Sequence, residues 1–115
     1  MTTSRVAQQD LEASTFQKRP AYRYIRQGDK VPALYSTEHD DDPTAHVKLF
    51  DPTGSYTWYI TEYDPEQHLA FGLVEGQDTE LGYFSMTELV ALRGRFGLPI
   101  ERDLHWAPRP LSECR

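Results

Sequence analysis

This sequence predicts an α+β fold, a four- to five-stranded antiparallel meander sheet packed by one short helix, on three observations. Four short β-rich runs, HVKLF, YTWYITEY, LAFGLVE and ELGYF, follow one another from His46 to Phe84. The segments between them, DPTGS, DPEQH and GQDT, carry the Asp, Pro and Gly that tight turns use. The run SMTELVALRG then opens with Ser85 and Glu88 at capping-box spacing, where a hydroxyl accepts from the amide three residues on. A chain of 115 residues, 38% hydrophobic and 26% charged, has the length and composition of one globular domain.

Taken in order, residues 4 to 17 suit either a short additional N-terminal helix, with Ser4 as cap and a sparse apolar set of Val6, Ala7, Leu11 and Ala13, or a frayed tail. The stretch QKRPAYRYIRQGDK, residues 17 to 30, concentrates bases and tyrosines around one acid, Asp29. The sequence therefore divides into an N-terminal extension, 1–30, and a single α+β domain, 31–115. STEHDDDPTAH, residues 36 to 46, reads as an acidic connecting loop. After the four strands the helix spans Ser85 to Arg93, with Met86, Leu89, Val90 and Leu92 as its apolar residues and Gly94 or Gly97 as its stop. PIERDLHW, residues 99 to 106, alternates again and predicts a fifth strand or an extended segment on the sheet.

The simplest registers place Tyr63 opposite Leu69 and Phe71 opposite Tyr83. One face then gathers Tyr59, Tyr63, Leu69, Phe71, Leu73, Leu81 and Tyr83 and is the face the helix should cover. The other holds Trp58, Ile60 and Glu62 beside Gly72 and Gly82, a bare floor for the indole or for an approaching backbone. Glu62, at the edge of this shelf, needs a base to answer it, and Arg102, flanked in alternation by Ile100 and Leu104, is the candidate. Trp58, Glu62, Gly72, Gly82 and Arg102 thus form the expected binding surface.

Two other constellations compete with it. Lys18, Arg19, Tyr22, Arg23, Tyr24, Arg26 and Lys30 interleave bases with stacking rings, as single-strand nucleic-acid binders do. Glu101, Asp103 and His105 alternate on one side of the last strand and offer carboxylate and imidazole ligands to a divalent metal, which would make the chain a metal-dependent enzyme. No phosphate-binding glycine loop and no G-x-S-x-G elbow occurs, so no cofactor is expected and no catalytic residue is assigned. The single cysteine, Cys114, has no partner for a disulfide, and no apolar run is long enough to span a bilayer. A cytoplasmic location without membrane partners is the expectation.

Charge is unevenly spread. The net −6 comprises +3 over residues 1 to 36, −11 over 37 to 92, where Lys48 stands against twelve acids, and +2 over 93 to 115. Such asymmetry calls for pairing between flank and centre, or for a partner that reads one of the two fields.

From about Val31 to Glu113, the order of HVKLFDPTGSYTWYITEYDPEQHLAFGL, ELGYFSMTELVALRGRFGLPIERDLHW and PLSE resembles the family of domain of unknown function 2958. The resemblance implies a small bacterial protein associated with plasmids, phages and integrative elements, near genes for transfer and antirestriction. It carries over no functional residue. The resulting expectation is a non-enzymatic accessory binding module of a mobile genetic element, acting through protein contacts in an anti-restriction or anti-defence role. The alternatives are nucleic-acid binding by the arm 18–30 and metal-dependent catalysis by Glu101, Asp103 and His105.

Overall fold

The computed structural model of the protein describes residues 24–114. Its strands are β1 (Thr44–Ala45), β2 (Val47–Phe50), β3 (Thr57–Asp64), β4 (Leu69–Glu75), β5 (Thr79–Ser85), β6 (Glu101–Arg102) and β7 (Arg109–Pro110), and its α-helix is α1 (Met86–Ala91). The main sheet is antiparallel and five-stranded in the order β5-β4-β3-β2-β6, while β1 and β7 pair separately. The fold is α+β, and the four consecutive runs form the meander that their turn residues predict. In the β3–β4 turn the Asp64 carboxylate accepts from the Glu66 amide at 2.9 Å and from the Gln67 side chain at 2.7 Å.

A bulge in β3 decides which residues share a face. Ile60 pairs with Gly72, but Glu62 pairs with Phe71, so Thr61 is an extra residue on its strand. Before the bulge even-numbered residues point to one side; after it Tyr63 does, opposite Ala70 rather than Leu69. Phe71 does pair with Tyr83. One face therefore carries Val47, Leu49, Trp58, Ile60, Tyr63, Ala70 and Phe84, and the other carries Tyr59, Glu62, Phe71, Leu73, Leu81 and Tyr83. Glu62 and Trp58 lie on opposite sides of the sheet.

The helix covers the Trp58 face, not the face of Tyr59 and Phe71 that the sequence predicts. Met86 and Leu89 join Trp58, Ile60, Val47, Leu49, Tyr24 and Ile100 in one buried cluster, each large aliphatic contributing about 2 kcal/mol of burial. Both faces of β3 are rich in apolar groups, so periodicity alone did not choose between them. The helix starts as predicted, with the Ser85 hydroxyl accepting from the Glu88 amide at 3.1 Å. It ends sooner, at Ala91, because Leu92 is extended, and Leu92 is 44% exposed.

The segment 24–30 packs against this core. Tyr24 is fully buried and its hydroxyl donates to the Ile100 carbonyl. The Arg102 guanidinium grips Asp29 with two bonds of 2.6 and 2.7 Å and donates to the Tyr24 carbonyl at 3.0 Å. The expected Glu62–Arg102 pair does not form, since the bulge turns Glu62 away and Asp29 answers the guanidinium instead. The predicted strand from 99 to 106 shrinks to Glu101–Arg102 because the Asp103 carboxylate accepts from the His105 amide at 2.9 Å and turns the chain. The additional helix expected over residues 4 to 17 falls outside the described residues.

Candidate functional site

Two loops partly cover the face opposite α1, one at each side, and leave a strip between them. On the β2 side the Trp106 ring packs 5.6 Å from that of Tyr59, its indole N–H donates to the Ala45 carbonyl at 3.0 Å, and Arg109 stacks on it at 4.0 Å. Tyr59 is thereby buried. At the bulge end the covering element is the turn segment around residues 34–39. The strip between them is formed by Phe71, Leu73, Leu81 and Tyr83 of β4 and β5 with Tyr35 of that segment.

Glu62 builds this site from beneath. It is only 2% exposed, and its carboxylate accepts from the Tyr35 amide at 2.7 Å, the Thr37 amide at 2.9 Å and the Thr37 hydroxyl. Hydrogen bonds to a charged acceptor are roughly twice as strong as neutral ones, so that even after the cost of burying the carboxylate they offset a strained backbone. Such strain is present, since Tyr35 sits at φ 70°, which an aromatic residue rarely adopts. The backbone beneath the ring is thereby held, while the ring itself is 61% exposed and lies 6.0 Å from Tyr83, which in turn lies 4.7 Å from Phe71. Loss of hydration, the Tyr35 hydrogen bond and the charges of Glu62 and Glu38 push the Tyr83 phenol above its usual range. Leu81 and Tyr83 are 58% and 51% exposed, so β5 continues an apolar platform out to the edge of the sheet.

The structure takes apart the surface expected from the sequence. Trp58 is 6% exposed and sits in the core, Glu62 faces the other way, and Arg102 is occupied by Asp29. Gly72 and Gly82 are cross-strand neighbours but not equivalent: a Cβ at Gly72 would overlap the Tyr59 carbonyl, whereas at Gly82 nothing among the described residues lies within 4 Å. The basic arm is divided as well. Lys18, Arg19, Tyr22 and Arg23 lie outside the described residues, and Tyr24, buried in the core, presents no ring for stacking. Arg26 caps the turn at Gln27–Asp29, its amide donating to the Asp29 carboxylate at 2.6 Å, and Lys30 ends that turn.

Glu101, Asp103 and His105 do not converge. Asp103 pairs with Lys48 at 3.8 Å, and among the described residues no group of three His, Cys, Asp or Glu side chains is placed to hold a metal ion. Cys114 donates to the Pro110 carbonyl at 3.4 Å, and burial pushes its thiol up from the usual value. Among the described residues no helix is long and apolar enough to cross a membrane.

Sequence periodicity reveals the alternation in LAFGL and ELGYF but assigns these residues to the core, and so does not reveal the platform. Tyr35 carried no signal, since nothing local marks it for positive φ.

Comparison with known proteins gives one result. The family model described as Protein of unknown function (DUF2958) matches residues 20–114. No curated protein and no solved structure matches the chain.

Proposed function

The chain belongs to the DUF2958 family, and we propose that it is a non-enzymatic binding module that acts through protein contacts on the face opposite α1. One observation carries this reading: three large side chains, Tyr35, Leu81 and Tyr83, are each more than half exposed and contiguous with Phe71, and a buried carboxylate holds one of them in a strained backbone. The Glu62 bonds offset the strain at Tyr35, and the ring carried by that backbone is left in water. Rigid, pre-positioned aromatics are what protein interfaces use as anchors, because little side-chain entropy is lost on binding. Service to a mobile genetic element, in an anti-restriction or other anti-defence role, is the setting proposed for that contact.

The test is affinity capture from host lysate with the wild type, a Leu81→Ser/Tyr83→Ser double variant and a Gln67→Ser control on the β3–β4 turn. A protein retained by wild type and control but released by the double variant supports the reading. Equal retention by all three, with the double variant folded by circular dichroism, removes it.

A further inference from the structure

Among the described residues the platform ends at an unpaired sheet edge, and the main chain of that edge has a direction. β5 is the outermost strand of the order β5-β4-β3-β2-β6 and runs seven residues. Its register with β4 is bracketed by two further bonds, Gly76 N–H to the Asp78 carbonyl at 2.9 Å and Met86 N–H to the His68 carbonyl at 2.8 Å. In an antiparallel ladder hydrogen-bonded pairs alternate, so Glu80, Gly82 and Phe84 exchange bonds with β4. Thr79, Leu81 and Tyr83 therefore turn their N–H and C=O groups outward. These are also the residues whose side chains stand on the platform side. Natural edges are usually blunted by proline, lysine or a bulge, and β5 has none of these.

On the other side of the same strand lies a groove of about 410 Å³, walled by Tyr56, Val74, Asp78 and Glu80. Its floor is Gly82, where among the described residues nothing lies within 4 Å of a Cβ position. The charged side chains that wall this groove, Asp78 and Glu80, are both acidic, and no base lines it among the described residues.

We propose that β5 accepts an extended basic segment of another protein as a sixth strand of the sheet. The added strand bonds to the outward main-chain groups of Leu81 and Tyr83. Its alternate aliphatic side chains extend the platform, and its Arg or Lys side chains cross Gly82 toward Asp78 and Glu80, with the Tyr56 ring as a stacking wall. This names the class of partner for the platform described above and rests on that reading.

The probes are two capped heptapeptides of identical composition, an alternating Val-Arg-Val-Arg-Val-Arg-Val and a blocked Val-Val-Val-Val-Arg-Arg-Arg, titrated into the ¹⁵N-labelled protein at moderate salt. The alternating peptide is expected to give saturable shifts and slowed exchange at the Leu81 and Tyr83 amides, with the blocked peptide about tenfold weaker. Leu81→Pro removes an outward N–H without costing a ladder bond and should weaken binding about tenfold; Glu80→Lys, which leaves the main chain intact, should do the same through charge. Equal binding of the two peptides, shifts spread over the surface without saturation, or no response at Leu81 and Tyr83 overturns the proposal. If the double platform variant still loses its captured protein in that event, the platform reading survives and the added strand alone fails.

Discussion

The two faces of the sheet are built from the same strands with alternate residues, yet they meet opposite fates. The Trp58 face is sealed by α1, by the segment around Tyr24 and by Ile100, and most of its residues are below 10% exposure. The Tyr83 face is covered at its two sides by Trp106 and the 34–39 turns, and the middle is left open. Burial on the first face is the source of stability. On the second, aromatic groups stay exposed although Glu62 has the means to anchor covering chain. The difference teaches that a buried carboxylate can hold a covering turn by its backbone and still leave that turn's aromatic ring in solvent.

This contrast can be broken most forcefully at its strongest side. Trp58→Ala should cost about 4 kcal/mol in denaturant unfolding, the scale of a large buried aromatic, whereas Leu81→Ser should stay within about 0.5 kcal/mol. Comparable losses at both sites would erase the distinction. Next in size, Gly72→Ala should cost about 3 kcal/mol because a methyl group there meets the Tyr59 backbone, while Gly82→Ala, its cross-strand neighbour, leaves stability within about 0.5 kcal/mol.

Arg102→Ala should cost about 3 kcal/mol at neutral pH by leaving Asp29 buried without its cation. Burial alone would raise the Asp29 carboxyl, but the Arg102 hydrogen bond, the Arg26 amide and the two guanidinium charges outweigh it and hold the carboxyl below its usual 3.8. A lowered folded-state value stabilises above the unfolded one and is lost as pH falls through the folded one. The gap between wild type and Arg102→Ala should therefore be full at neutral pH and close on acidification, fully so once pH has fallen through the lowered folded-state value of the wild type. A gap that widens on acidification has the wrong sign. The smallest of the four effects is at Glu62. Glu62→Ala should cost about 2 kcal/mol and, more tellingly, speed amide exchange at Tyr35 and Thr37 while exchange in β2 stays unchanged.

Much of this architecture is legible in the residues themselves. The turn-forming Asp, Pro and Gly separate the strands, and Ser85 with Glu88 marks the helix start. The Phe71–Tyr83 register follows from the GQDT turn. What escapes is the bulge at Thr61, since an extra residue in an apolar strand leaves no mark when both faces of the strand are hydrophobic. That one residue reverses the side on which Glu62 and Tyr63 project, and with it the expected shelf. The Arg102 partner was half visible: Asp29 is the lone acid in a basic stretch, but 73 residues separate the two and no periodicity links them. Glu62 binds main-chain amides, which every residue but proline has, so its role has no sequence signature.

The measurement that most directly tests the account is hydrogen exchange on the protein alone and bound to its captured partner. Protection confined to residues 33–38 and 79–83, with β2 and α1 unchanged, is the predicted result. Protection centred on α1 and the segment around Ile100, with Leu81 and Tyr83 unaffected, would place the interface on the wrong side of the sheet and contradict it.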